Sequence, residues 1–231
     1  MEKIKVDIDV NIIEKQSYQS RESYKVLRTN ILFCGSDIKT VLFTSATQKE
    51  GKSTVTFNLA MSLASAGKKV ILVDADLRRS VLIERYKINE PINGLSSYLA
   101  GQCDLENVIV GTNIKDMDVI LCGKYPKNPA ELLGHENFAL MMEKLRQQYD
   151  YVIVDAPPLG EVIDAAIIAT HCDGSVIVTE SGKISYKLLK EIKRQLVRSK
   201  SRLLGVIINK MPVPKRHGVG KYYSSYEENI R

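Results

Sequence analysis

Tryptophan is absent from the 231-residue sequence, histidine occurs three times and cysteine four times. The histidines are far apart, and Cys34, Cys103, Cys122 and Cys172 show no C-x-x-C spacing. This pattern speaks against a zinc cluster and against a disulfide framework. The thiols read as free, mostly buried groups in a reducing compartment. Long apolar runs are missing too. The longest uncharged stretch, Ser53–Gly67, is too short and too polar to span a bilayer. Met1-Glu2-Lys3-Ile4-Lys5 is charged and lacks the apolar centre of a secretion signal. No internal repeat is visible.

The length suits one large α/β domain with a substantial core. The net charge of +6 fits either an anionic partner or a solvated basic surface, and composition leaves both open.

Apolar runs alternate with amphipathic segments along most of the chain. Val41–Thr44, Val70–Val73, Val119–Leu121, Tyr151–Val154, Ser175–Val178 and Leu203–Ile208 are expected strands. Ser20–Phe33, Lys52–Ala66, Glu136–Gln148 and Tyr186–Lys200 are expected helices, the first capped by Ser20. Val70–Val73 and Tyr151–Val154 are apolar without alternation, as in strands covered on both faces. Strand–helix repetition predicts an α/β fold with a doubly wound, mostly parallel sheet flanked by helices. Three segments follow from this: an arm over 1–19 lying on the surface, a globular domain over 20–210, and a tail over 211–231.

One segment interrupts the pattern informatively. After Val41–Thr44 comes Ser45-Ala46-Thr47-Gln48-Lys49-Glu50-Gly51-Lys52-Ser53-Thr54, then a helix. This is a P-loop arrangement, in which backbone N–H groups cradle a phosphate chain at a helix N-terminus. Lys52 would reach the β- and γ-phosphates and the Ser53 hydroxyl would bind Mg²⁺. Ala46 stands where the general pattern has its first glycine, and alanine disfavours positive φ.

Ligands of such sheets bind at the carboxyl ends of the strands. Asp74 and Asp76 follow one strand and Asp155 another, so carboxylates and P-loop meet at one edge. Asp155, before Ala156-Pro157-Pro158, suits a Mg²⁺ role. Asp74-Ala75-Asp76 admits two readings. In one, a carboxylate holds the metal while the other takes a proton from a hydroxyl nucleophile. In the other, both organise Mg²⁺ and its waters. Asn209, after Val206-Ile207-Ile208, suits a purine edge or an ordinary turn.

The tail is the second anomaly. Three of the eleven tyrosines, Tyr222, Tyr223 and Tyr226, lie within five residues, beside Glu227 and Glu228. They read as a docking or modification segment. From Lys210 to Tyr222 the chain can extend roughly 40 Å, enough to reach a neighbouring subunit's site.

Together these residues resemble the bacterial tyrosine kinases of the soluble, capsule- and exopolysaccharide-regulating kind, which have a P-loop NTPase fold. The resemblance runs from Glu22 onwards. It rests on Glu50-Gly51-Lys52-Ser53-Thr54, Ile71-Leu72-Val73-Asp74-Ala75-Asp76-Leu77-Arg78, Val152-Ile153-Val154-Asp155-Ala156-Pro157-Pro158, Asn128-Pro129-Ala130-Glu131-Leu132-Leu133 and the tyrosine-rich end. It implies autophosphorylation of Tyr222, Tyr223 and Tyr226 with ATP and Mg²⁺. Glu50, Gly51, Lys52, Ser53, Thr54 and Asn209 would bind the nucleotide. Ser53, Asp76 and Asp155 would hold the metal, with Asp74, Lys52 and Asp76 catalytic and Asp74 the base toward the tyrosine hydroxyl. It further implies a cytoplasmic ring of identical subunits, a membrane-anchored modulator of the polysaccharide co-polymerase type that recruits the kinase to the inner membrane face, a cognate tyrosine phosphatase, and no nucleic-acid partner. The family's ring motif, Glu-x-x-Arg-x-x-Arg, reads Glu22, Lys25 and Arg28 here; Lys25 keeps the charge without the bidentate fork. Gln48-Lys49 replaces the commoner Pro-Gly.

Two other functions use the same loop. A division-site or partition-type ATPase attacks with water; such proteins usually carry an extra lysine early in the loop, where this chain has Thr47. A nucleotide-dependent binding switch uses ATP only to set partner affinity.

Overall fold

The structure, a computed structural model, describes residues 5–6, 17–85 and 93–212. In chain order the main elements are β1 (Lys5–Val6), α1 (Tyr18–Leu32), β2 (Thr40–Ser45), α2 (Lys52–Ala64), β3 (Val70–Asp74), α3 (Leu82–Arg85), α4 (Leu95–Leu99), β4 (Val110–Thr112), β5 (Met117–Ile120), α5 (Pro129–Leu133), α6 (Glu136–Gln148), β6 (Tyr151–Asp155), α7 (Asp164–Ala169), β7 (Gly174–Glu180), α8 (Tyr186–Arg198) and β8 (Arg202–Asn209). The strands form one sheet in the order β1-β4-β5-β3-β6-β2-β7-β8. Every neighbouring pair is parallel except β4 with β5.

The continuous apolar runs have a direct structural cause. On β2, Leu42 points into one core layer and Val41 and Phe43 into the other. On β3, Ile71 and Val73 face the first layer while Val70 and Leu72 face the second. The first layer is closed by Phe138, Met141 and Leu145 of α6, Ile168 of α7, and Ile192 and Leu196 of α8. The second is closed by Ile31 of α1 and by Val55, Leu59 and Leu63 of α2. Both faces of a parallel sheet must be covered, so both residue parities must be apolar. Among the described residues no helix is long and apolar enough to cross a membrane.

Element ends differ from the sequence expectations for local reasons. Ser17 rather than Ser20 caps α1: its backbone is extended and its hydroxyl accepts the Ser20 N–H at 3.2 Å. The helix expected to run to Ala66 stops at Ala64, because Gly67 takes a left-handed φ of 77° and Lys68 N–H turns back to Leu63. The one expected to reach Lys200 stops at Arg198, with Lys200 at φ 62°. The arm expected over 1–19 also differs. Val6 is fully buried and pairs with Thr112, and α1 already begins at Tyr18.

Candidate nucleotide and phosphoryl-transfer site

Strand β2 lies between β6 and β7, so the loop from Ala46 to Gly51 emerges at the middle of the sheet's carboxyl edge. The left-handed positions in this loop are Lys49, at φ 64°, and Gly51, at φ 87°. Ala46 is not among the positive-φ residues, so alanine in place of the first glycine carries no backbone penalty. Gly51 is the N-cap of α2 and supplies no side chain to the first-turn N–H groups. A thirteen-residue helix with an uncapped N-terminus at a glycine is suited to an anion. The loop therefore fits a phosphate chain.

Glu50 stands in the loop expected to bind the nucleotide, but its side chain is engaged within the protein. Its carboxylate is buried and turned inward. One oxygen accepts the Ala46 and Thr47 N–H groups, both at 2.8 Å, and the other accepts the Thr179 hydroxyl at 3.0 Å. Glu50 fixes the loop's shape, which leaves only its backbone for a ligand. Asn209 also packs on the loop: its amide nitrogen donates to Glu50 O at 2.9 Å, and a Cβ on Gly51 would stand 2.2 Å from that nitrogen.

The other expected residues do converge. Lys52 Nζ donates to Asp155 Oδ1 at 2.7 Å and lies 3.3 Å from the Ser53 hydroxyl. Asp74 and Asp155 are register partners on β3 and β6, so their side chains leave the same edge side by side. Asp74 is fully buried. Burial, and next the Asp155 charge, push its carboxyl up to about 7, against opposing pulls from the Ser80 hydroxyl and Lys52. Ser80 donates its hydroxyl to Asp74 Oδ2. Cys122, at the end of β5, shares this enclosure; burial raises its thiol to about 12, so it stays protonated. Asp76 Oδ1 accepts the N–H groups of Arg79 at 2.9 Å and Arg78 at 3.3 Å, leaving Oδ2 for a cation.

Among the described residues no group of three or more His, Cys, Asp or Glu side chains forms a ready metal cage. Mg²⁺ binds through one or two carboxylates plus phosphate oxygens and water. Ser53, Asp76 and Asp155 have the hard oxygens for it.

Sequence reasoning missed Asp164. It is fully buried at the start of α7 and takes a bidentate ion pair from Arg78, at 2.8 and 2.9 Å. Nothing local marks it, because its partner is far away in sequence. It also missed Arg79 and Arg85, which donate to Gln48 and to the Thr54 hydroxyl. They line an open cavity of about 360 Å³ with Lys49, Lys52, Asp76 and Lys210.

The expected oligomer residues are not gathered into one outward-facing set. Lys25 pairs with Glu22 at 2.6 Å on the same helix, and Arg28 turns inward to Ser62 O on α2 at 2.8 Å. Tyr222, Tyr223 and Tyr226 lie outside the described residues.

The AAA domain family model matches residues 38–204. A tyrosine-protein kinase CpsD of Streptococcus agalactiae is 43% identical over 197 residues, covering 85% of this chain and 86% of that protein. A putative tyrosine-protein kinase EpsB of Ralstonia nicotianae is 36% identical over 211 residues, covering 90% of this chain but 28% of its own length. The crystal structure of the chimerical protein CapA2B2 superposes with a TM-score of 0.81 at 32% identity, covering 91% of this chain and 95% of that one. With P-loop, paired strand-end carboxylates and these relatives in agreement, the chain belongs to the AAA domain family and, within it, to the bacterial protein-tyrosine kinases.

Proposed function

We propose that this kinase phosphorylates its own tail at Tyr222, Tyr223 and Tyr226, and that this regulates capsular or exopolysaccharide synthesis and export. The observation that carries the reading is the pairing of Asp74 with Asp155 at adjoining strand ends, with Lys52 closing on Asp155. One carboxylate is committed to the P-loop lysine and metal position. The other is sealed from water with its carboxyl pushed up to about 7, near the value a general base needs.

ATP with Mg²⁺ supplies the phosphoryl group that is transferred. Lys52 and the first-turn N–H groups of α2 hold the phosphate oxygens. The Ser53 hydroxyl, Asp76 and Asp155 hold the metal. Asp74 takes the proton of the tyrosine hydroxyl. Asn209 and the Glu50 carboxylate keep the loop in shape while Lys52 changes partner. Phosphate on the tail adds about −1.5 to −2 charge per site, which opposes re-entry into an aspartate-rich site.

The partners follow the same reading: a ring of identical subunits, a membrane-anchored modulator that brings the kinase to the inner membrane face, and a phosphatase that resets the tail. The modulator is supported by EpsB, in which the kinase portion is part of a much longer chain. The test is a mass-spectrometric map of the tail after incubation with ATP and Mg²⁺. Phosphotyrosine at Tyr222, Tyr223 or Tyr226 is expected. Its absence, with the modulator present, defeats the proposal.

A further inference from the structure

Six cations line the cavity; Lys49 is exposed on the phosphate loop itself, and three others are already neutralised. Lys52 pairs with Asp155, Arg78 with Asp164 and Lys210 with Glu180. Arg79 and Arg85 differ. Both are exposed, and the recorded acceptors of their guanidinium groups are neutral oxygens: Gln48 Oε1 at 2.7 Å for Arg79, and the Thr54 hydroxyl for Arg85. An amide oxygen or a hydroxyl orients a guanidinium without cancelling its charge, so both remain receptive to carboxylates.

Both arginines come from the segment after β3 rather than from the phosphate loop itself. Arg79 is held beside Asp74-Ala75-Asp76, since its backbone N–H donates to Asp76 Oδ1 at 2.9 Å. Arg85 reaches from α3 across the same cavity to the Thr54 hydroxyl on the first turn of α2. The sequence holds a matching acidic element. Tyr226 is followed directly by Glu227 and Glu228, whereas Tyr222 and Tyr223 lie between Lys221 and two serines. An extended segment advances roughly 3.3–3.6 Å per residue. The two glutamates therefore fall within two residues of a tyrosine presented to Asp74.

We infer that Arg79 and Arg85 form an acceptor subsite that binds the acidic side chains following a tyrosine and so selects Tyr226 over Tyr222 and Tyr223. This rests on the tail-phosphorylation reading above. The occupant is the segment Tyr226–Glu228 of the chain's own tail. Binding forms charge-assisted hydrogen bonds and breaks no covalent bond, so the subsite affects which tyrosine is used and leaves the chemistry to the groups already described.

The test uses the full chain with ATP and Mg²⁺, following label at each tail tyrosine by quantitative mass spectrometry. In one variant Glu227→Lys and Glu228→Lys are combined, which leaves the catalytic domain untouched. In a second, Arg79→Glu and Arg85→Glu are combined, and a third carries all four changes. Each charge reversal alone is expected to lower the ratio of label at Tyr226 to label at Tyr222 and Tyr223 by roughly tenfold. The four-fold variant is expected to recover most of the ratio. An unchanged ratio in the tail variant overturns the inference. So does an arginine variant whose three tyrosines lose label in parallel with ATP affinity, because the arginines would then serve the donor. Absence of phosphotyrosine in the wild-type chain with the modulator present defeats the tail reading itself, whereas a labelled wild type without charge-swap recovery defeats only the subsite.

Discussion

Lys52 Nζ lies 2.7 Å from Asp155 Oδ1, and both side chains are almost sealed from solvent. Each is the other's counter-charge in the ligand-free protein. Removing one strands the other in a poorly hydrated place, which costs about 3–5 kcal/mol. Lys52→Met and Asp155→Asn should each destabilise the ligand-free chain on that scale in urea melts. The double variant should lose less than the sum, since neither charge is then left alone.

Catalysis should depend on pH through Asp74. Its carboxyl, pushed up to about 7 by burial and by Asp155, acts as a base only when deprotonated. Tail labelling under single-turnover conditions should rise about tenfold per pH unit below that value and level off above it. A flat profile between pH 5.5 and 8 would remove Asp74 from the role.

The same group carries a stability signature of definite sign. Its folded value lies above the ordinary 3.8, so the native chain holds the proton more tightly than the unfolded chain. Native stability therefore falls as pH rises from about 4 to about 7, by as much as ~4 kcal/mol at ~1.4 kcal/mol per unit. Asp74→Asn abolishes transfer but removes this loss. It should be more stable than wild type in melts at pH 8, with the difference fading by pH 4.

Lys49 occupies a left-handed backbone position at φ 64°, next to Glu50 and Gly51. A side chain there costs on the order of 1–2 kcal/mol that glycine does not incur. The acceptor role of the Lys49 carbonyl toward Lys210 Nζ, at 2.8 Å, belongs to the backbone and survives substitution. Lys49→Gly should therefore raise the melting temperature by a few degrees. A lower melting temperature would show that the lysine side chain itself stabilises the loop.

Much of the architecture was written in local pattern. Val70–Val73 and Tyr151–Val154 read as interior parallel strands because they are short, rich in β-branched residues and apolar on both parities. Strand β4, with three residues, and β1, with two, carry too little pattern to announce themselves. The antiparallel step between β4 and β5 was equally silent.

At the site, legibility followed the same division. Lys52, Asp74, Asp76 and Asp155 were readable because strand ends in a doubly wound sheet share one edge. The inward turn of the Glu50 carboxylate was not readable, because motif position says nothing of where a side chain turns. Its partners Thr179 and Glu180 belong to β7, more than a hundred residues away. Asp164 was unreadable for the same reason, since it acquires meaning only once Arg78 arrives from the far side of the fold.

Asn209 ends β8 and fastens it to the phosphate loop through Glu50 O, and Lys210 adds a second tie to Lys49 O. The end of β8 is thereby moored to the phosphate loop. A pull on the chain at Lys210 would therefore be borne by the Lys49 and Glu50 carbonyls, two residues and one residue before Gly51. The end of the last strand and the shape of the phosphate loop are thus mechanically connected, so a displacement of one is felt by the other.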